Sequence, residues 1–371
     1  MSLELTSPHT IYDYQGLKEI ANDVYADYEI GCDIDCTESI ADNSGNGWKP
    51  FNFYGKLEGN GYCLSNLYSK MGGLFGHIYG SVGGLGFRNG RLEDVSDTGM
   101  LSNSIDTNGT IERCYVENCI LLPKIQEGQT YPLGANNIAG LANYLRKGTI
   151  KECYTANCVI GQEKKNYNQI VKGAAGFISH TLLYGIIQDC YTRGCRIYAL
   201  ESAGGFICED DYFLYTDPQT TGIKRCYSAN MVALRSSKSN TLRGGFCAKA
   251  TSKAIERQEG NFYDSTVFGV ASGYGYGYAK ITEQMKDIKT FEAQDWQFTI
   301  VNDDGTVIKN TWRIEDGLTY PYLQFNKQYK ELVPNAFLKI KNEEGGDKYA
   351  LLVDPFNVNL DVVPHLYIRE S

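Results

Sequence analysis

One ten-residue phrase recurs along the chain: TIERCYVENC at 110–119, TIKECYTANC at 149–158 and IIQDCYTRGC at 186–195, followed by a shorter copy, GIKRCY, at 222–227. Successive Cys-Tyr pairs are 39, 37 and 36 residues apart. A period of this length is typical of stacked repeat units, each too short to bury its own apolar face. Because Gly, β-branched and aromatic residues dominate the units, short strands are favoured over helix pairs. The predicted fold class is therefore all-β, a parallel β-helix.

A second recurring element combines small residues with one large apolar residue, as in GGLFG at 72–76, AGL at 139–141, AAGF at 174–177, AGGF at 203–206 and GGF at 244–246. Glycine permits a sharp bend, and the apolar residue that follows is predicted to point into the core. The last unit, NFY at 261–263, follows Cys226 by 36 residues and is predicted to put Phe262 in the Cys position.

The chain contains twelve cysteines. Cysteine behaves as a small buried hydrophobe, so one in the same position of each coil predicts a ladder of reduced thiols inside the solenoid. Disulfides in an exported protein are the second interpretation. Zinc is the third, because the chain has four histidines and none lies near the Cys-x4-Cys pairs.

The composition excludes several classes of function. A formal charge of -9 argues against non-specific nucleic-acid binding, which needs a basic face. Apolar runs are too short to cross a membrane, so no membrane insertion is expected. The start of the chain, MSLEL, does not resemble a secretory signal. Either the chain is made and kept in the cytoplasm, or a signal lies outside the given sequence.

The sequence divides into four segments on changes of pattern. Residues 1–70 are predicted to form an N-terminal capping module with one short amphipathic helix over 12–24. The β-helix repeats are assigned to 71–280, a closing segment to 281–325, and a small C-terminal β module to 326–371. In the last of these, apolar alternation on both sides of the EEGGD stretch at 343–347 predicts a β-hairpin.

A series of motifs follows in order along the chain: Tyr28-x-Ile30-x-x-Asp33-Ile34-Asp35, Trp48-Lys49-Pro50, Phe53-x-Gly55-x-Leu57-x-Gly59-Asn60-Gly61-Tyr62, Gly73-Leu74-Phe75-Gly76, the Ile-x-x-Cys-Tyr units, and a closing stretch of Trp296 and then Thr311 to Leu323. Taken together, these motifs resemble those of GLUG-motif repeat proteins over roughly residues 10–325. The resemblance implies a right-handed parallel β-helix of the kind found in bacterial surface proteins, often adhesins or regions beside a protease, and in phage tails. It implies no catalytic residue.

Two clusters are candidates for ligand contact. Aromatic side chains pack against sugar rings and tyrosine adds a polar tip, which suggests carbohydrate binding. The predicted ligand-binding residues are Tyr212, Phe213, Tyr215, Tyr274, Tyr276 and Tyr278, the last three on one face if that stretch is extended. No catalytic residue, metal or cofactor is predicted; Asp33 and Asp35, on one face of a strand, are interpreted as structural rather than as calcium ligands.

The function favoured by these observations is non-enzymatic. The chain is predicted to be a structural or receptor-binding, adhesin-like protein of a phage tail, assembled in the host cytoplasm and engaged in host recognition. Expected partners are other virion proteins and a host cell-surface glycan or protein, and a homotrimer is one expected assembly. Two alternatives remain: a tailspike-like polysaccharide depolymerase using acids such as Asp210 and Asp211, and a secreted adhesin on the bacterial cell surface.

Overall fold

In a computed structural model of the chain, the structure describes residues 8–123, 137–162, 172–182, 185–211, 222–234, 241–269, 275–301, 307–308, 310–324, 337–341, 347–351 and 367–368. The predicted all-β parallel β-helix is confirmed. Successive coils place strands in four parallel sheets, A to D, and each complete coil visits sheets A, B, D and C in turn.

Sheet A opens each coil and has eight strands. They are β1 (His9–Ile11), β2 (Tyr28–Ile30), β5 (Lys56–Glu58), β9 (Ser81–Gly83), β14 (Thr110–Glu112), β19 (Thr149–Lys151), β24 (Ile186–Gln188) and β28 (Gly222–Lys224). Pairing is parallel from β1 to β28 and crosses residue 70 through β5 and β9. Much of the segment predicted as a capping module therefore consists of β-helix coils, because strands as short as three residues still continue the ladder.

Sheet B has two rows of strands that merge in one long strand. The first row is β3 (Ile34–Asp35), β6 (Cys63–Ser65), β10 (Gly86–Arg88), β15 (Tyr115–Glu117), β20 (Tyr154–Ala156), β25 (Tyr191–Ala199), β29 (Tyr227–Leu234), β32 (Phe262–Asp264) and β33 (Tyr278–Lys280). The second row is β7 (Tyr68–Ser69), β11 (Arg91–Val95), β16 (Ile120–Pro123) and β21 (Val159–Ile160), which also pairs with β25.

Sheets D and C complete each coil and meet at the repeat glycines. Sheet D contains β12 (Thr98–Gly99), β17 (Asn137–Ala139), β22 (Gly173–Ala175), β26 (Ser202–Gly204) and β30 (Leu242–Gly244). Sheet C contains β4 (Phe51–Phe53), β8 (Phe75–Ile78), β13 (Ser102–Ile105), β18 (Ala142–Arg146), β23 (Ile178–Leu182), β27 (Ile207–Asp211) and β31 (Cys247–Ala250).

The remaining elements are short helices and three small antiparallel sheets. The helices are α1 (Tyr14–Glu19), α2 (Asp42–Gly45), α3 (Ser252–Glu256), α4 (Ser265–Phe268) and α5 (Ile288–Glu292), with 3-10 turns at Ile20–Asn22, Thr37–Ala41 and Gln284–Lys286. The small sheets are β34 (Ile300–Val301) with β35 (Val307–Ile308), β36 (Trp312–Arg313) with β37 (Tyr322–Leu323), and β38 (Phe337–Lys341) with β39 (Asp347–Leu351) and β40 (Tyr367–Ile368). The hairpin predicted in the C-terminal module is therefore confirmed as β38 and β39.

Side chains from the repeated phrase form ladders inside the solenoid. Eleven of the twelve cysteines are buried, Cys32 is partly exposed, and all twelve are free thiols. The Sγ atoms accept hydrogen bonds from the preceding coil, with Cys114 N to Cys153 Sγ at 3.3 Å and Cys153 N to Cys190 Sγ at 3.4 Å. The cysteines therefore both fill the core and hold one coil to the next.

The prediction for the last unit was wrong by one residue. Phe262 pairs with Tyr227 and so takes the Tyr position. Asn261 takes the Cys position, where its Oδ1 accepts the Cys226 amide at 3.0 Å, as a cysteine sulfur does in earlier coils. A fully buried carboxamide can replace the thiol because it supplies the same acceptor and also donates to Ile223 O at 2.7 Å.

The tyrosines of the repeated phrase lie on the opposite, outer side of sheet B. Tyr115, Tyr154, Tyr191 and Tyr227 stack with ring centroids 5.3, 4.8 and 5.1 Å apart. The closing segment packs over the end of this stack with Trp296, Trp312 and Tyr320. Stacked aromatic pairs contribute about 0.5–1.5 kcal/mol each beyond area burial. The stack therefore attaches the closing segment to the solenoid.

Candidate functional site

A concave site lies on the outside of the solenoid, where sheets C and D meet. It is a groove of about 310 Å³ whose lining comes from strands of both sheets. The side chains that define its chemistry are Tyr144, Lys172, His180, Glu201, Glu209 and Lys249. Because neighbouring strands are about 4.8 Å apart, side chains from successive coils stand close enough to contact one ligand together.

His180, on β23, is the central polar group of the groove. Its Nε2 lies 3.2 Å from Glu209 Oε2, and its ring lies 5.2 Å from that of Tyr144. Burial lowers the pKa of His180 to about 4, although the charges of Asp211 and Asp97 oppose the shift. The imidazole is therefore neutral at pH 7, and Nε2 donates to the Glu209 carboxylate. Its other nitrogen, Nδ1, is buried and has no hydrogen-bond partner among the described residues.

The charged groups of the groove are paired with one another. Glu209 accepts a hydrogen bond from Lys249 Nζ as well as from His180. Lys172 Nζ lies 3.9 Å from Glu201 Oε2. With His180 neutral, the two lysines and two glutamates leave the lining without net charge. The groove can therefore offer hydrogen-bond donors and acceptors without a strong field of either sign.

Asp97 lies near the groove, and its side chain accepts a hydrogen bond from the backbone. The Asn137 amide donates to Asp97 Oδ1 at 3.2 Å. Burial raises the pKa of Asp97, while the hydrogen bond from Asn137 and the nearby His180 act in the opposite direction. The Asn143 side chain also lies within hydrogen-bonding reach of Asp97, and Ser179 Oγ, next to His180 in the chain, is buried without a hydrogen-bond partner among the described residues. Unpaired buried polar atoms are costly and rare, and they are a reason to examine this corner as a binding site.

Two of the predicted ligand-binding tyrosines near the end of the solenoid, Tyr276 and Tyr278, lie in different surroundings. Tyr276 is buried, with 8% of its surface exposed, and its hydroxyl donates to Asp210 Oδ2 at 2.7 Å. Tyr278 is 48% exposed. The expected extended alternation fails because Gly275 and Gly277 have φ angles of 76° and 118°. Tyr212, Phe213, Tyr215 and Tyr274 lie outside the described residues.

The acids of the depolymerase alternative belong to strand β27. Asp210 is buried, and both of its oxygens are engaged, by the hydroxyls of Thr181 and Tyr276. Burial raises the pKa values of Asp210 and of the half-buried Asp211. Since alternate residues of a strand face opposite sides, Glu209 faces the groove whereas Asp210 lies in the interior.

The two other acids considered from the sequence have structural contacts. Asp33 Oδ1 accepts the Cys63 amide at 2.8 Å, and Asp35 Oδ1 accepts hydrogen bonds from Thr37 and Asn66. In the described part of the chain, no three His, Cys, Asp or Glu side chains converge in a way that could hold a metal ion. No helix within the described ranges is long and apolar enough to span a membrane.

The groove residues were missed from the sequence although a signal for them exists. The groove side chains of sheet C each follow a repeat glycine by four positions, as Tyr144 follows Gly140 and His180 follows Gly176. The same offset identifies His77, Glu209 and Lys249. The repeat fixes where these positions point, whereas their identities vary from coil to coil, as expected of a surface that the fold does not constrain.

Comparisons with known proteins concern the fold. No protein-family model and no curated protein matches the chain, so the GLUG resemblance stays a prediction. The structure is similar to that of a candidate immunoglobulin A1 protease from Bacteroides ovatus, with 16% identity and a TM-score of 0.43 over 81% of this chain and 92% of that chain. It is also similar to a structure named IgA1 protease, with 15% identity and a TM-score of 0.50 over 84% of this chain. The chain spans 24% of the length of that second protein.

Proposed function

We propose that this chain is a non-enzymatic recognition and structural protein, in which a rigid β-helix presents the groove of sheets C and D to a polar ligand. The observation that supports this role most strongly is the groove itself. Side chains from successive coils converge on it, and the buried Nδ1 atom of His180 has no hydrogen-bond partner in the described part of the chain. Recognition groups held on paired strands are pre-organised, which lowers the entropic cost of binding.

The setting we propose is a phage tail or another surface assembly with a host-recognition role. Eleven buried free thiols suit a protein that folds in a reducing cytoplasm, as a virion component does before assembly. Burial raises the pKa values of Cys190 and Cys195 well above that of an ordinary thiol. These two thiols are therefore largely unreactive.

The proposal is tested by binding to arrays of cell-surface glycans and peptides. The key variant is Ser202→Trp, which places a large ring in the groove, and its matched control is Thr110→Trp on the outer face of sheet A. We expect wild type and the control to bind the same features and the groove variant to lose them. Binding that survives Ser202→Trp would contradict the assignment, and shortened glycans in the eluate would support the depolymerase alternative.

A further inference from the structure

The groove is part of a longer row of side chains on the outside of sheet C. Register pairs His77 with Ser104, Ser104 with Tyr144, Tyr144 with His180, His180 with Glu209 and Glu209 with Lys249. Six residues from six adjacent strands therefore lie in one register row parallel to the solenoid axis, in which Ser104 is buried with 1% of its surface exposed. At a strand spacing of about 4.8 Å, this line is about 24 Å long. A ligand that follows it must be an extended chain.

A row of exposed tyrosines continues the same surface toward the N-terminal coils. Tyr25 and Tyr54 stack at 4.7 Å and Tyr54 and Tyr79 at 4.8 Å, so the rings repeat once per coil. They are 71%, 38% and 37% exposed, unlike the buried tyrosine stack of sheet B. The ring of His77 lies 6.1 Å from that of Tyr79, which joins this row to the line that enters the groove.

The charges along this surface are balanced as they are in the groove. His77 Nδ1 lies 2.8 Å from Asp106 Oδ2. Burial raises the pKa of Tyr79, and of the charges near it Asp106 raises this pKa further whereas Arg146 lowers it. Arg146 also lies 4.9 Å from the centre of the Tyr144 ring. An ionic polymer would find no excess of the opposite charge here. Neutral hydroxyl groups, in contrast, can pair with the phenol edges and with the paired carboxylates.

We infer that the ligand of this surface is an uncharged glycan chain lying along the solenoid axis, from the groove at His180 to the stacked tyrosines Tyr25, Tyr54 and Tyr79. The inference rests on the proposed ligand-binding role of the groove and names the class of its ligand. Aromatic side chains with polar tips suit sugars because the ring packs on carbon while the hydroxyl exchanges hydrogen bonds. The repeat of one tyrosine per coil matches a polymer better than a single sugar.

The test is calorimetric titration of the full chain with oligosaccharides that differ in charge and length. The neutral probes are chitohexaose, cellohexaose and maltohexaose with their disaccharides; the charged probes are a chitosan hexamer and hexagalacturonate. We expect one neutral hexasaccharide to bind at least about tenfold more tightly than either charged probe. Its affinity should be the same at low and high salt, because screening has little effect on an uncharged ligand.

Substitutions test the path of the ligand. Tyr54→Ala should weaken binding of the hexasaccharide about tenfold and leave the affinity for the disaccharide unchanged, because only the longer probe reaches the tyrosines. Tyr62→Ala is the matched control, since Tyr62 is 36% exposed and lies between sheets A and B. If Tyr54→Ala leaves hexasaccharide binding unchanged, the axial path is wrong.

The outcomes separate this inference from the proposed function. A charged hexamer could instead bind more tightly than the neutral probes, in a salt-sensitive way that Ser202→Trp abolishes. That result would overturn the inference of an uncharged ligand and leave the groove as a binding site. If no oligosaccharide binds, and peptides on the arrays bind wild type but not Ser202→Trp, the ligand is not a glycan but the groove is still a binding site. If no oligosaccharide binds, and Ser202→Trp does not affect binding to the arrays, both the glycan ligand and the assignment of the groove as a binding site are wrong.

Discussion

Replacing Tyr276 by Phe should weaken the C-terminal end of the solenoid. Tyr276 closes the end of the core, where its ring lies 5.6 Å from that of Phe246 and its hydroxyl donates to the buried Asp210 at 2.7 Å. Phe keeps the ring contact and removes one of the two hydroxyl donors to the carboxylate. A hydrogen bond to a charged group contributes about 1.5–3 kcal/mol, so we expect a loss of about 2 kcal/mol at pH 7.

The loss should become smaller as the pH falls. Burial raises the pKa of Asp210 above its unfolded value. A carboxyl with a raised pKa favours the folded state when it is protonated, and that stabilisation is lost as pH rises through the folded pKa. Removing a donor raises the folded pKa further. The cost of Tyr276→Phe should therefore fall to about 1 kcal/mol, the value for a neutral hydrogen bond, once Asp210 is protonated.

Hydrogen exchange measures this effect where it occurs, because coils of a solenoid open locally. The Cys247 amide donates to Tyr276 O at 3.3 Å and reports on the contact. A loss of 2 kcal/mol corresponds to about 30-fold faster exchange there, with no change in sheet A near β1 and β2. The control is Tyr278→Phe, which should have little effect. The hydrogen bond from Tyr276 to Asp210 would not have the proposed role if Tyr276→Phe left exchange at the Cys247 amide unchanged, or if the loss of stability did not depend on pH.

Three further predictions concern stability. Asn261→Ala should lower the free energy of unfolding in urea by about 2–4 kcal/mol, because the Cys226 amide and the Ile223 carbonyl both lose a buried partner. If the effect is no larger than that of Asn46→Ala at an exposed position, Asn261 does not replace the ladder cysteine. Trp312→Ala should lower the free energy of unfolding by about 3–5 kcal/mol, seen as a lower unfolding midpoint, and should expose Tyr191 and Tyr227 to solvent, seen as increased dye binding. An unfolding midpoint equal to that of wild type would contradict the role of the closing segment. Reducing agent should leave the melting temperature unchanged because all twelve cysteines are free thiols; a drop of several degrees would indicate disulfides.

The repeated phrase contained most of the information about the fold. Its period predicted the coil, and its cysteines and the residues after the repeat glycines predicted the core, since burial in every coil selects for small or apolar side chains. The unit at 261–263 was misplaced because Asn261 and Cys226 look unrelated in sequence. In three dimensions Asn261 supplies an acceptor to the preceding coil, as Cys153 and Cys190 do in theirs.

The site was less predictable because surface positions of a solenoid do not repeat in identity. The Gly-Tyr stretch near residue 276 suggested an exposed aromatic row, whereas the positive φ angles of Gly275 and Gly277 turn Tyr276 into the core. The exposed row is formed instead by Tyr25, Tyr54 and Tyr79, which are far apart in sequence. Only the stacking of successive coils brings the three rings together, and Tyr25 and Tyr54 lie in the segment that the sequence predicts to be a cap.

A crystal structure of the chain with the tightest-binding oligosaccharide tests the central claim most directly. We expect a sugar chain along the outside of sheet C, with a hydroxyl group donating to the Glu209 carboxylate and further residues of the glycan beside Tyr79 and Tyr54. A ligand bound elsewhere, with the groove at His180 and Glu209 unchanged, would contradict the account.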